Sequence, residues 1–405
     1  MSSDGRLRVL WVIHYPVFGG PHNRVLRLYG LLAEAGIDVT VVLPSAPGNA
    51  RKRFEAGGVP VISMPLERIR ATRSLEEHRR LVSGFRFDVR RLRGAIRLSG
   101  AEVMVVGGLI NTQGPIAARL EGIGLVWQVL DSRTPKPLSA VLMTASDRLA
   151  DVVTFAGPAL VDMHPGADRL GIPTYISTPG VDTARFVPSA ERRARTRERL
   201  GIPAGAPVVG TVANVNRQKS IEVFIRAASL VRAAVPDARF VVVGEMRYGY
   251  DEYVEFLRGE IEAGGLGDAF HFAGEQSEVE DWYPAFDVKV MSSGARSEGT
   301  PTSILEAWAC EVAVVATNVG SVAQLVQDGE NGALVEAGDH RKMADETIKL
   351  LGDDSLRSEF AAAGRRRVEA HYSIRHVADV HEQAIRQARA SSLERLGTAV
   401  RRTRS

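Results

Sequence analysis

Short apolar runs recur along this chain, separated by stretches with helical spacing and by turn residues. Such runs, rich in Val and Ile, are typical of strands that are buried on both faces of a parallel sheet. Seven predicted strands lie in the first half, at residues 8–13, 39–43, 59–64, 102–106, 125–130, 152–155 and 174–177. Six lie in the second half, at residues 208–212, 239–243, 270–273, 287–291, 312–316 and 333–335. Helical spacing predicts helices near residues 23–35, 75–98, 112–120, 158–169 and 220–233, and from residue 337 onward.

Turn residues separate the two alternating halves, in the segment Ser177-Thr178-Pro179-Gly180-Val181-Asp182. Strand–helix alternation on both sides predicts an α/β protein, and 405 residues suffice for two domains with a core each. We place the first domain at residues 1–183 and the second at 184–375. We expect residues 376–405 to form a helix that packs back toward the first domain and ends in a basic tail, frayed from Arg386.

Composition narrows the class of protein. The chain is 45% hydrophobic with a formal net charge of +3, which does not indicate a nucleic-acid-binding protein. No apolar run approaches the ~20 residues of a membrane span, and the first residues do not form a signal peptide. A single cysteine, Cys310, excludes disulfides within the chain and cysteine-based metal clusters. We therefore expect a cytoplasmic protein.

The segment Ser297-Glu298-Gly299-Thr300-Pro301-Thr302 follows one predicted strand and opens a helix. Gly299 permits a tight turn, Thr300 can cap the helix, and Pro301 fits its first position. The N–H groups at such a helix start form an anion site. The carboxylates of Glu298 and Glu306 would repel phosphate, so hydroxyl groups of sugars are their more suitable ligands. Glu306 lies off the apolar face formed by Ile304, Leu305, Trp308 and Ala309. The segment therefore predicts a site for a diphosphate that carries sugars.

Lys219 lies just before the predicted helix that starts near Ser220. The positive end of the helix dipole repels a lysine there, and the chain has only six lysines against 45 arginines. A ligand anion would offset this repulsion, so we interpret Lys219 as a diphosphate ligand.

In the first domain, Gly19 and Gly20 stand between the first strand and the first helix. Their segment is not G-x-G-x-x-G, and no acidic residue ends the second strand, so a dinucleotide oxidoreductase is disfavoured.

These segments together resemble the retaining glycosyltransferases of the GT-B fold, family 4. Glu298 and Glu306 match the family's E-x7-E signature, and Lys219 matches the lysine of its G-R-x-x-x-x-K-G segment. The segment from Gly180 to Pro188 is similar to the family's N-G-V-D-x-x-x-F-x-P hinge. Further approximate matches bring the resemblance to residues 8–385, nearly the whole chain.

The resemblance implies two Rossmann-like domains that face each other across a cleft. It also implies retaining transfer of a sugar from a nucleotide sugar, most simply a UDP-sugar, to an acceptor hydroxyl. Glu298, Lys219 and Asp131 are the implied catalytic residues. The implied donor-binding residues are Gly19, Gly20, Asn214, Arg217, Lys219, Gly274, Glu275, Glu298, Gly299, Thr300, Thr302 and Glu306. No cofactor is implied, and because no aspartate pair suits a divalent metal we expect none.

Two departures bear on activity. Leu130 stands where family members carry a histidine, so only Asp131 of that pair is retained. Asn214 stands at the position of the family's arginine, and Arg217 is the residue that could compensate. Two alternatives therefore stay open: a nucleotide-sugar epimerase or hydrolase, and a catalytically silent GT-B subunit that activates a partner.

Residues 66–97 contain ten arginines and four acidic residues. Such a stretch is compatible with an ordinary solvated amphipathic helix, or with a basic face for an anionic acceptor or the inner face of a membrane. The acceptor itself is open among a glycan, a lipid-linked sugar and a small molecule.

Overall fold

The structure is a computed structural model that describes residues 5–67, 75–131, 134–246, 251–295 and 300–404, with the side chains of 75–83 and 399–404 left aside. The chain divides into two compact units. Unit 1 comprises Met1–Pro179 and Ile374–Ser405, and unit 2 comprises Gly180–Ser373.

Unit 1 is a seven-stranded parallel sheet with helices on both faces. Its strands are β1 (Leu7–Val12), β2 (Ile37–Pro44), β3 (Val61–Met64), β4 (Val103–Gly107), β5 (Gly124–Val129), β6 (Val152–Phe155) and β7 (Thr174–Ile176). Its helices are α1 (Gly20–Glu34), α2 (Ala50–Ala56), α3 (Leu75–Ser99), α4 (Gln113–Glu121), α5 (Lys136–Leu149), α6 (Ala159–Met163) and, after unit 2, α14 (Ile374–Arg404). The strand order β3-β2-β1-β4-β5-β6-β7 places two apolar cores on opposite faces of this sheet.

Unit 2 is built in the same way on six parallel strands. They are β8 (Val208–Val212), β9 (Arg239–Val243), β10 (Phe270–Gly274), β11 (Val288–Met291), β12 (Ala313–Thr317) and β13 (Ala333–Val335), in the order β10-β9-β8-β11-β12-β13. Its helices are α7 (Ala190–Arg199), α8 (Ile221–Ala234), α9 (Asp251–Ala263), α10 (Thr302–Ala309), α11 (Val322–Leu325), α12 (His340–Gly352) and α13 (Asp354–His371).

In each sheet the strands are added first toward one edge and then toward the other, so the winding reverses at one position. In unit 1 it lies between β1 and β4, and in unit 2 between β8 and β11. Ligands of open α/β sheets bind at the carboxyl ends of the strands on either side of such a position. The loops after β1 and β4, and those after β8 and β11, are therefore the places to look for a site.

A partly buried carboxylate fixes β8 beside β11. Asp287, just before β11, accepts hydrogen bonds from Arg193 at 2.6 Å, from Arg197 at 2.8 Å and from the Val208 N–H at 2.7 Å. Burial lowers the pKa of Arg197, which is 3% exposed, and the Asp287 charge opposes that shift. The carboxylate therefore connects the start of β8, the start of β11 and helix α7.

Helix α14 packs against the sheet of unit 1. The sequence predicts fraying from Arg386, but the helix continues to Arg404. The side chain of Arg389 bonds Glu102 at 2.7 Å, and that of Arg395 pairs with buried Asp151. A Cβ atom at Gly124 would lie 2.7 Å from the carbonyl oxygen of Ala388, so only glycine permits this approach. The predicted fraying is wrong because these long-range contacts continue to stabilise the helix beyond Arg386.

All thirteen predicted strands are observed within a few residues of the predicted bounds. Helices α2, α5, α7, α9 and the short α11 were not predicted. For α7, with the sequence AERRARTRER, the reason is that it has no apolar stripe; ion pairs and backbone contacts hold it in place. No helix in the described part of the chain is long and apolar enough to cross a membrane.

Candidate functional site

The loop after β8 and the loop after β11 are hydrogen-bonded to each other. The Ser292 hydroxyl donates to the Lys219 carbonyl at 2.9 Å, and the Gly294 N–H donates to the Gln218 carbonyl at 2.9 Å. From β12, the Thr317 hydroxyl donates to the Ser293 carbonyl at 2.7 Å. The structure thus joins the turn that carries Lys219 to the residues that directly follow β11, 73 residues away in sequence, where the winding of unit 2 reverses.

Lys219 ends a single 3₁₀ turn, Arg217–Lys219, between β8 and α8. The Asn216 side chain caps this turn by accepting the N–H groups of Gln218 at 3.0 Å and Lys219 at 3.2 Å. The Lys219 backbone is therefore held on both sides, by Asn216 and by Ser292. Lys219, the predicted diphosphate ligand, therefore lies on a turn whose backbone is held by hydrogen bonds.

Ser220 occupies the left-handed region, with φ 44° and ψ 52°. Non-glycine residues rarely adopt this region, because their Cβ approaches the following carbonyl. This explains why a glycine, which the resemblance places here, suits the turn. The sequence carries serine and keeps the same backbone.

Tyr253 of α9 is hydrogen-bonded to the first residues of α8. Its hydroxyl accepts the Ile221 N–H at 3.0 Å and donates to the Glu222 carboxylate. Burial and the contact with Glu222 raise the pKa of Tyr253. The Arg217 guanidinium lies over the same ring, 5.2 Å from its centroid, which is the geometry of a cation–π contact. The Arg217 side chain is thus held beside Tyr253, while Asn214 lies half-buried just after β8.

Helix α10 begins at Thr302, one residue later than predicted, with Pro301 at the N-cap. Pro301 offers no side-chain acceptor, and among the described residues no side chain caps this helix, so the predicted capping role of Thr300 is wrong. The helix therefore keeps the donor groups that an anion would bind. Glu298 and Gly299 lie outside the described residues.

Glu306 is buried, at 7% exposure, on a helix whose apolar residues are also covered. Its carboxylate accepts a hydrogen bond from the Tyr283 hydroxyl at 2.7 Å. Tyr283 is fully buried and packs edge-on against Phe186 and Phe286. The helical pattern placed Glu306 off the apolar face of α10, yet the structure buries it beside Tyr283. The result is a rigid, poorly hydrated carboxylate.

Gly274 ends β10 with φ 70°, and its carbonyl accepts the Gly244 N–H at 2.9 Å. Gly244 in turn lies so close to β8 that a Cβ would be 2.0 Å from the Ala213 carbonyl oxygen. The loops after β8, β9 and β10 are therefore neighbours. Glu275 follows Gly274 and is exposed.

The remaining predicted residues belong to unit 1. Gly19 and Gly20 are exposed and mark the start of α1, on the loop after β1. Asp131 is also exposed and follows β5, one strand away from β4. The structure therefore places the glycine pair where the winding of unit 1 reverses, and places Asp131 beside that position.

Sequence reasoning missed four residues that shape these loops: Asn216, Tyr253, Tyr283 and Ser292. Asn216 had a usable signal, because asparagine often caps the turn that follows it. The two tyrosines had none, because each acts on an element at least 23 residues away.

The chain is similar in sequence to glycosyltransferases over part of its length. The profile of the family described as "Glycosyl transferases group 1" matches residues 192–367. The lipopolysaccharide core biosynthesis mannosyltransferase LpsB of Rhizobium meliloti is 30% identical over 226 residues, 54% of this chain and 64% of that protein. The GDP-mannose-dependent alpha-(1-6)-phosphatidylinositol monomannoside mannosyltransferase of Mycolicibacterium smegmatis is 30% identical over 285 residues, 66% of this chain and 69% of that protein.

Among solved structures, Anabaena Alr3699/HepE in complex with UDP superposes with a TM-score of 0.79. The two chains are 20% identical, and the match covers 93% of this chain and 99% of the other. At this identity the similarity shows a shared fold.

Proposed function

The chain belongs to the group 1 glycosyltransferases and has their GT-B fold, and from this premise we propose that it transfers a sugar from a UDP-sugar to an acceptor hydroxyl with retention of configuration. The observation that carries the proposal is the hydrogen-bonded pair of loops after β8 and β11. One presents Lys219, and the other leads toward the start of α10, which no side chain of the described residues caps. A cation and a helix N-terminus on rigid backbone suit a diphosphate leaving group.

In the proposed reaction the bond between the anomeric carbon and the donor's phosphate oxygen breaks, and its electron pair goes to the diphosphate. The acceptor oxygen forms the new bond on the same face of the sugar, and its proton passes to the leaving phosphate oxygen. Negative charge on the diphosphate grows through this step, so donors fixed beforehand stabilise the transition state more than the substrate. Lys219, Arg217 and the first N–H groups of α10 are the proposed donors, without a metal ion.

We assign the donor to unit 2 and the acceptor to unit 1. Glu306 would accept hydrogen bonds from the ribose, and Glu298 from the donor sugar. On unit 1, Gly19 and Gly20 would approach the diphosphate, and Asp131 the transferred sugar. The arginines of α3 would contact an anionic acceptor, which we propose to be at the surface of an anionic membrane.

A GDP-sugar is the second candidate donor, because the Mycolicibacterium relative is by name GDP-mannose-dependent. A panel of UDP- and GDP-sugars, read by release of nucleoside diphosphate with and without candidate acceptors, separates the two. Release that needs an acceptor supports a transferase, and release without one supports a hydrolase. Binding without turnover, together with copurification of a homologous partner, would favour a silent activator subunit.

Lys219→Ala tests the proposed leaving-group site. We expect kcat/KM to fall by ~10²-fold or more, as for the loss of one transition-state donor. Lys349→Ala is the matched control, since Lys349 is an exposed lysine of α12 in the same unit. If Lys219→Ala keeps kcat/KM within about threefold of the wild type, the assignment is wrong.

A further inference from the structure

His22 lies in the first turn of α1 and is 1% exposed. Its ring stacks on Phe18, with centroids 5.5 Å apart, and packs against Phe54 at 5.8 Å. Histidines are usually only partly buried, so full burial next to an exposed glycine pair needs a reason. The proposed reaction does not use this side chain.

Both ring nitrogens of His22 bond the backbone of the loop after β1. Nδ1 accepts the Gly19 N–H at 3.1 Å, and Nε2 bonds the Tyr15 carbonyl oxygen at 2.9 Å. An N–H can only donate and a carbonyl can only accept, so the ring is neutral and its proton is on Nε2. Burial lowers the pKa of His22, which favours this neutral form. The imidazole therefore connects the beginning of the loop, at Tyr15, to its end, at Gly19.

The opposite side of the loop is held by the segment before α2. Asn49 Oδ1 accepts the Phe18 N–H at 2.8 Å, and the Pro16 carbonyl accepts the Ala50 N–H at 3.0 Å. A Cβ at Gly48 would lie 2.0 Å from the Pro16 carbonyl oxygen, so this contact is close. These bonds fix the middle of the loop, and the bond to His22 fixes Gly19.

We propose that His22 is a positioning residue that holds the Gly19–Gly20 backbone in the conformation that receives the donor's diphosphate. Gly19 is extended, with φ −162° and ψ −166°, and its own N–H is used by the imidazole. Pro21 has no N–H, so Gly20 carries the next backbone N–H after Gly19 that a ligand could bind before His22. This inference rests on the proposed function, because it assumes that the glycine pair meets a nucleotide sugar.

Three substitutions separate the two hydrogen bonds. His22→Leu removes both, and His22→Asn keeps an acceptor where Nδ1 stood but cannot reach Tyr15. His22→Gln reaches Tyr15 and lacks an acceptor at the Nδ1 position. His164→Leu is the control: His164 is 2% exposed and lies in the same unit, and within the described part of the chain its ring bonds the Leu160 carbonyl through Nδ1 and nothing through Nε2.

We expect His22→Leu and His22→Gln to raise the donor KM and the Kd for UDP by about tenfold, the effect of losing one hydrogen bond, with kcat within about threefold. His22→Asn and the control should keep wild-type KM. Equal KM for the Asn and Gln variants would overturn the proposal, and this comparison suffices even if His22→Leu does not fold.

Amide hydrogen exchange in the ligand-free protein measures directly how well the Gly19 amide is protected. We expect the Gly19 amide to exchange at least about tenfold faster in His22→Leu and His22→Gln than in the wild type and His22→Asn, because the amide loses its acceptor. Unchanged exchange in His22→Gln would overturn the role of His22 in holding the loop. If exchange changes as expected while the wild type binds no nucleotide sugar, the proposed function fails and the hold on Gly19 stands.

Discussion

At the scale of the residue, Glu306 is a buried carboxylate that accepts a hydrogen bond from a fixed hydroxyl group. A buried carboxylate is costly unless it is hydrogen-bonded, and the Tyr283 hydroxyl supplies one such bond. A carboxylate can accept about four hydrogen bonds, so this bond is compatible with another from a ribose hydroxyl. The aromatic packing of Tyr283 fixes the direction from which its hydroxyl donates to the carboxylate.

Glu306→Gln and Glu298→Gln should affect different kinetic constants. A ribose contact is present before and during the reaction, so Glu306→Gln should raise the donor KM by ~10-fold with little change in kcat. A contact to the sugar ring can strengthen as positive charge develops there, so Glu298→Gln should mainly lower kcat. Steady-state kinetics and UDP calorimetry measure both.

Tyr283→Phe is the control for this pair, since it removes the bond to Glu306 and keeps the carboxylate. We expect a smaller rise in KM than for Glu306→Gln. The assignment is reversed if Glu298→Gln loses affinity for UDP while Glu306→Gln binds it normally.

At the scale of the element, α10 is positioned by its contact with α13. Trp308 of α10 is fully buried, and Gly364 of α13 lies directly against its ring. A Cβ at Gly364 would be 2.2 Å from Trp308 Cδ1 and 2.4 Å from Nε1. The two helices can therefore pack at this distance only with glycine at position 364, and the start of α10 depends on that distance.

Gly364→Ala should destabilise the protein although alanine is the better helix former. The helical gain is ~1 kcal/mol, and forcing a methyl group into a packed contact costs about 1–3 kcal/mol or more. We expect a lower free energy of unfolding by denaturant and a raised donor KM. Gly259→Ala in α9, where nothing lies within 4 Å of the added Cβ, should instead be neutral or stabilising. A stabilised Gly364→Ala variant would show that α10 and α13 can separate at no cost.

At the scale of the whole molecule, one face of unit 1 is strongly basic. Arg86, Arg90, Arg93 and Arg97 of α3 line one groove. Glu121 pairs with Arg93 at 2.5 Å and with Arg97 at 2.8 Å. Within the described residues no acidic group pairs with Arg86 or Arg90. Phe87, at 46% exposure, and Leu98, at 83%, add apolar surface. Arg68, Arg70 and Arg73 of the predicted basic stretch lie outside the described residues.

This face should bind anionic vesicles in a salt-dependent way. Each arginine near an anionic membrane contributes ~1 kcal/mol, so Arg86→Glu with Arg90→Glu should weaken binding at least ~10-fold. Binding should also fall as salt rises from ~0.05 to ~0.5 M. Vesicle cosedimentation measures both.

Arg258→Glu with Arg341→Glu, two exposed arginines of unit 2, gives the same change in net charge and should leave vesicle binding unchanged. Equal, weak binding of the wild type to neutral and anionic vesicles would make α3 an ordinary solvated helix.

The sequence by itself determined the strands, the start of α8 and the family, because each depends on a local pattern. Buried parallel strands must be short and apolar on both faces, and a motif such as Glu298–Glu306 is contiguous. Only the tertiary structure decided which loops meet, because strand order is set by packing between distant segments. The bond from Ser292 to Lys219 and that from Tyr283 to Glu306 join segments with no common local pattern. The same reason places α14 with unit 1: its contacts with Glu102, Asp151 and Ser177 arise from surfaces that exist only once the sheet has formed.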